Sequence, residues 1–163
     1  MLEHNMHHKH ISRRAFSLIE LVIVVVIIGI IGAIAIPRMS RGAAGAADSG
    51  LVADLAVMRN AIDLYQAEHG GSYPSFANFV DQMTTYTDVL GNTQATKDST
   101  YYLGPYLRSI PELKVGSNKG KNGIVATQGG TTAGWVYDET TGAISANLPG
   151  TETDARGVAY NSY

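Results

Sequence analysis

Residues 16–36 read "FSLIELVIVVVIIGIIGAIAI", an apolar run that holds a single carboxylate, Glu20. About 20 such residues, rising about 1.5 Å each, carry a helix across the hydrocarbon of a bilayer. The run has that length, and Arg13 and Arg14 stand just before it. An ionised carboxylate inside hydrocarbon costs at least about 2.5 kcal/mol. A bare anchor has no use for it, so the run implies a partner that neutralises Glu20.

Upstream, residues 1–15 form a short, basic, His-rich leader with Lys9, Arg13 and Arg14 against Glu3. Positive charge ahead of the run predicts that this end stays in the cytoplasm and that everything after Ile36 lies outside. Arg38 and Arg41 weaken that bias without reversing it. A cleaved secretory signal is the rival reading, but its apolar core spans about 7–15 residues and ends at a small-residue cut. This run is longer, and its helical pattern continues. Leu51, Leu55, Met58, Ile62 and Tyr65 repeat at 4-3-4-3 spacing, one stripe along a helix. Asp54, Arg59, Asp63 and Glu68 lie off it. Gly70 and Gly71 mark the stop.

The expectation is therefore one long helix over 16–70, apolar all round at 16–36 and amphipathic at 51–70. Between the halves lies a Gly/Pro zone, 37–50. Pro37 lacks an N–H and crowds the preceding turn, and each interior glycine costs about 1 kcal/mol relative to Ala. Gly29, Gly32, Gly42, Gly45 and Gly50 surround it. In membrane helices such glycines also serve close packing. The zone reads as a kink, or as a segment that bends or melts when its surroundings change.

Residues 71–163 form the head, rich in Ser, Thr, Gly, Asn and Tyr. "SYPSFANFVDQMTTYTD" places Phe76, Phe79, Val80 and Met83 at helical spacing behind Ser75, an N-cap candidate. "YYLGPYLRSIPEL" reads as a turn-rich connection. "GIVATQ", "GWVYDET" and "GAISAN" read as three short strands, the last two joined at "DETTG" into a hairpin. The tail after Pro149 reads as polar and irregular. The fold class is α+β: a long N-terminal helix packed on a small head with a short helix and an antiparallel sheet of about three strands.

Composition excludes several functions. The chain has no cysteine, so disulfides, thiolate zinc sites and cysteine nucleophiles are out. The leader carries +2 and the whole chain −2, leaving residues 16–163 at −4. That balance argues against a general nucleic-acid binder. Lys114, Lys119 and Lys121 read as a solvated basic loop. Four of the five histidines sit in the leader, and His69 reads as a helix-end residue. No nucleophile–base set, metal-ligand spacing or phosphate loop is present, so no enzyme activity is expected. Trp135, on a strand, reads as core.

The stretch "RRAFSLIELVIVVVIIGIIGAIAIP", residues 13–37, resembles the N-terminus of type IV pilins and type II secretion pseudopilins. The likeness rests on the basic pair, a small residue at Ala15, Phe16, Glu20 four residues on, and Pro37 closing the apolar helix. The family usually carries Gly where Ala15 stands. "GPYLRSIPEL" and "GWVYDETTGAISAN" extend the resemblance to the head, as in major pseudopilins. It implies cleavage between Ala15 and Phe16 by a prepilin peptidase, N-methylation of Phe16, and pairing of Glu20 with the Phe16 ammonium of a neighbour. It also implies that residues 29–45 unwind in the assembled filament. Some major pseudopilins bind calcium in a C-terminal loop. On that likeness Asp138, Glu139 and Asp154 are candidate oxygen ligands, at a spacing that is not diagnostic. No other cofactor is implied.

The resulting expectation is a structural subunit, inserted N-in and C-out in a bacterial inner membrane, then built into a periplasmic or extracellular filament. Residues 16–50 would make the homopolymer contacts. Lipid would surround the helix before assembly, and a platform protein and a cytoplasmic ATPase would do the work. The competing expectation is an uncleaved, signal-anchored extracytoplasmic binding domain.

Overall fold

The computed structural model describes residues 16–163, with the backbone alone for residues 36–41. The leader, with Arg13, Arg14 and Ala15, lies outside the described residues, as does the side chain of Pro37. Contacts divide the chain into two units, Met1–Arg41 and Gly42–Tyr163. Helix α1, Leu18–Glu68, supplies both.

In the first unit, α1 opens directly after Ser17. Leu18–Ala35 is long and apolar enough to cross a membrane, with a mean hydropathy of 3.1. Its large side chains, from Leu18 to Ile34, are exposed. Among the described residues of this unit nothing covers them.

In the second unit, α1 presents one side to a core. Leu51, Leu55, Met58, Ile62 and Tyr65 are each no more than 2% exposed, so the 4-3-4-3 stripe is the buried face. Gly50 lets the chain pass close by: a Cβ there would stand 3.3 Å from Lys114 Cγ. The helix stops as its sequence demands. Gly70 turns left-handed at φ 64°. The Gly71 N–H then donates to the Gln66 carbonyl at 2.8 Å, closing a Schellman-type end.

A 3₁₀ turn, Phe76–Asn78, leads into α2, Phe79–Thr84. Phe79 and Met83 are buried, whereas Phe76 and Val80 stay exposed, so the four apolar residues at helical spacing divide between two sides. Ser75 occupies the cap position, but its side chain caps nothing. Its N–H donates to Gln82 Oε1 at 2.7 Å instead. A small hairpin follows, β1 Tyr86–Thr87 with β2 Thr93–Gln94. Two-residue strands of Tyr, Thr and Gln carry no apolar alternation, so this hairpin leaves no period-2 signal in the sequence.

The second sheet occupies the three expected positions: β3 Ile124–Val125, β4 Trp135–Tyr137 and β5 Ile144–Ala146. β4 and β5 form the antiparallel hairpin, with Trp135 opposite Ala146 and Tyr137 opposite Ile144. Those four point into the core, while Val136 and Ser145 lie half-exposed, as period-2 alternation requires. β3 joins β4 in parallel register, Ile124 beside Trp135. The connection over residues 126–134, with Gly129 and Gly130, carries the chain back so that β3 and β4 run the same way.

The polar edges of this core are tied by hydrogen bonds. Trp135 Nε1–H donates to the Pro111 carbonyl at 2.8 Å, and the Tyr137 hydroxyl donates to the Pro74 carbonyl at 2.8 Å. Leu107, Ile110, Leu113 and Val115 fill the core from an irregular stretch. The tail is irregular but firmly held. Tyr160 donates to Asp48 Oδ1 on α1 at 2.8 Å, and the Arg59 guanidinium donates to the Ile144 carbonyl at 3.0 Å and to the Tyr163 carbonyl.

Truncating the inner stripe and the outer face of α1 separates these roles. Leu55→Ala should cost about 2–5 kcal/mol, the range for a buried Leu. Val57→Ala, on an exposed position, should change stability by about 0.5 kcal/mol or less. Urea unfolding followed by the fluorescence of the buried Trp135 measures both. Equal losses would contradict the burial pattern.

Candidate assembly site

The first described residues build a small unit around Glu20. Phe16 is 85% exposed and precedes the helix. Ser17 holds the N-cap position, and Leu21 N–H donates to its carbonyl at 3.1 Å. Glu20, three residues beyond the cap, reaches back: its Oε2 accepts the Ser17 N–H at 2.9 Å. This is half of a capping box, and the signal was legible as "SLIE", a serine with a glutamate three residues on. The reading of Glu20 as a lone charge missed it. The carboxylate also lies in the helix's first turn, where the macrodipole favours negative charge. Oε1 makes no hydrogen bond among the described residues.

Gly29, Gly32 and Gly42 lie on helical backbone, and the helix is continuous through the Gly/Pro zone. A Cβ added at Gly29, Gly32, Gly42 or Gly45 would meet nothing within 4 Å. Contacts among the described residues therefore do not demand glycine at these four positions.

The three candidate calcium ligands are engaged separately. Asp138 Oδ1 accepts from the Thr140 N–H and hydroxyl, and its Oδ2 from the Thr141 hydroxyl. Glu139 accepts the Phe76 N–H at 2.6 Å. Asp154 is buried in the tail loop. Its Oδ1 accepts from the N–H groups of Arg156 and Val158, its Oδ2 from Arg156 Nε and the Tyr163 hydroxyl. Among the described residues no three or more metal-binding side chains converge. Each of the three carboxylates accepts hydrogen bonds from separate donors.

His69 is buried, both ring nitrogens bonded: Nδ1 at 2.8 Å from the Tyr65 carbonyl and Nε2 at 3.1 Å from the Thr87 hydroxyl. It stacks on the Tyr65 ring at 3.7 Å and serves the helix end. Lys114 lies 3.7 Å from Asp54. Such a half-exposed pair contributes about 1 kcal/mol or less.

Residues 11–36 match the family model described as "Prokaryotic N-terminal methylation motif". The matched span holds Phe16, Ser17, Glu20 and the apolar part of α1. The motif supports a type IV pilin-like prepilin, a class of structural proteins. Among curated proteins, and among solved structures, nothing matches the chain.

The Asp154 loop makes a pH test. Hydrogen bonds from Tyr163 and Arg156 hold its carboxyl well below the ordinary carboxylate range, against the opposing effect of burial. A depressed folded-state pKa adds stability above the unfolded value of about 3.9, lost as pH falls through the folded value. Asp154→Asn should therefore melt below wild type at pH 7, with the gap closing under acid, below about pH 4. A gap that is constant with pH would contradict the assignment.

Proposed function

We propose that this chain is the precursor of a type IV filament subunit. It inserts N-in and C-out, is cut between Ala15 and Phe16 by a prepilin peptidase, and is N-methylated at Phe16. It then polymerises through residues 16–50, driven by an inner-membrane platform protein and an assembly ATPase. The supporting observation is the coincidence of two things over the same residues. The methylation motif covers 11–36, and the side chains of Leu18–Ala35 are left uncovered within their own unit. A continuous apolar surface of that size is not left in water. Lipid covers it before assembly and copies of the same helix afterwards, and a uniform Ile/Val/Leu surface suits both.

Glu20 is the selective element. In the uncut chain the nitrogen of Phe16 is an amide and carries no charge. Cleavage turns it into an ammonium. The carboxylate of one subunit then pairs with the new terminus of the next, while Oε2 keeps its own Ser17 N–H. Breaking a buried pair of this kind costs about 3–5 kcal/mol. Gly29, Gly32, Gly42 and Pro37 supply the freedom for the helix to bend as it leaves the membrane, which accounts for glycines that no contact among the described residues demands. Within the class, "GPYLRSIPEL", "GWVYDETTGAISAN" and the Cys-free head favour the secretion pseudopilus over the long pilus.

Two measurements test this. Mass spectrometry of material recovered from the native cell should find a mature terminus at Phe16 carrying one methyl group. An intact leader in fully processed material would instead support the signal-anchored binding domain. Glu20→Ala should insert into membranes as wild type does, yet lower the filament recovered by at least about tenfold, well within the cost of a lost buried pair. Wild-type filament yield from that variant would remove the pairing role.

A further inference from the structure

The C-terminal end of α1, the Ser72–Ser75 link and the β1–β2 turn enclose a cleft of about 350 Å³ in the head. Its lining includes Tyr65, His69, Ser72, Tyr73, Gln82 and Leu90. Two side chains fix its walls. Gln82 takes the Ser75 N–H on Oε1 at 2.7 Å and donates from Nε2 to the Gly91 carbonyl at 2.8 Å. Asp88 accepts the N–H groups of Leu90 and Asn92 at 2.9 Å each and the Asn92 amide at 2.8 Å. The turn so held presents Val89 and Leu90 at the rim, Leu90 84% exposed. A turn tip is ordinarily polar, so a large aliphatic side chain fixed there is unusual.

The floor carries free hydroxyls. That of Tyr65 makes no hydrogen bond among the described residues, and neither do those of the exposed Ser72 and the half-buried Tyr73. Each lines the cleft with its bonding capacity open to whatever enters it. Burial, and then the nearby Asp88 charge, push the Tyr65 phenol up, so it keeps its proton at neutral pH and donates. Both nitrogens of His69 are already engaged. No Asp, Glu, Lys or Arg lines the cleft.

We infer that this cleft binds the ring of a neutral sugar. Three unengaged hydroxyls, each able to donate and accept, match the vicinal hydroxyls of a pyranose. The half-buried Tyr73 ring and the exposed Leu90 side chain match its C–H face. A lining without acidic or basic side chains discriminates against ionic ligands, whose desolvation would go uncompensated. The volume lies at the small end of ligand pockets, which run from roughly 300 to 1,000 Å³, and suits a single ring. This site is separate from the assembly segment and does not depend on the filament reading.

The test uses the full chain in a detergent whose head group is not a sugar. Saturation-transfer NMR titrations are run with D-glucose, D-galactose, D-mannose and N-acetyl-D-glucosamine, and with D-glucuronate and glycerol for comparison. At least one neutral hexose should bind saturably with a Kd on the order of millimolar, and glucuronate and glycerol at least about tenfold more weakly. Tyr65→Phe removes only an oxygen that bonds to nothing, so it should melt like wild type while weakening the hexose about tenfold, the worth of one hydrogen bond. Leu90→Ser, on an exposed residue, should also keep the melting temperature and weaken binding. Failure of every hexose to saturate, equal binding of glucuronate or glycerol, or wild-type affinity in Tyr65→Phe would overturn the inference.

Discussion

A carboxylate on a helix that water does not surround must be compensated by donors or by positive charge, and Glu20 is that carboxylate. Its position dictates what the rest of the N-terminal segment has to be. The Ser17 N–H satisfies one oxygen within the chain, and the positive end of α1 lies beside it. That is enough to place Glu20 in the first turn without breaking the helix. It is not full compensation, because a single backbone N–H carries no net charge. On the proposed function the missing half is a cation, the ammonium that cleavage between Ala15 and Phe16 supplies on a neighbouring copy. That reading couples processing and assembly through one ion pair.

The same helix meets two environments with two patterns. Over Leu18–Ala35 it is apolar on every side, and its own unit leaves it uncovered. Over Leu51–Tyr65 it is apolar on one side, and that side carries the head. Intervening glycines cost helix stability, and at Gly29, Gly32, Gly42 and Gly45 no contact among the described residues accounts for them. A helix that only bridged a span and a head would be better built with alanine there. Their retention fits a segment whose preferred geometry changes with its neighbours.

Much of this was legible in the sequence, because the decisive signals are periodic or local. The 4-3-4-3 stripe, the stop at Gly70–Gly71 and the three strands of the second sheet all follow from spacing. What was not legible depends on long-range partners. The β1–β2 hairpin has two residues per strand and no apolar alternation. The parallel placement of β3 is a property of a connection, not of the strand. The tail read as irregular because its ties run through Tyr160, Tyr163 and Arg59 to residues about 100 positions away. At the candidate sites, Glu20 stood out as a charge in an apolar run, while its cap bond needed the Ser17 spacing to be weighed as well. The hydrogen-bond donors around Asp138, Glu139 and Asp154 were not legible in the sequence. The unengaged hydroxyl of Tyr65 had no sequence signal, since its position in the stripe marks it simply as core.

The proposed assembly depends on a contact between Glu20 of one subunit and the terminal nitrogen of another. Filaments assembled from an equal mixture of subunits, one labelled with ¹⁵N-Phe and the other with ¹³Cδ-Glu, isolate that contact by solid-state NMR. An ammonium nitrogen signal from processed Phe16 should be dephased by a Glu carboxyl carbon at about 4 Å, the separation of an ion pair. Because the two labels reside in different chains, dephasing at that distance identifies an intersubunit pair. An ammonium signal that shows no dephasing from any Glu carboxyl, in well-ordered filaments, would contradict the claim that Glu20 drives assembly by pairing.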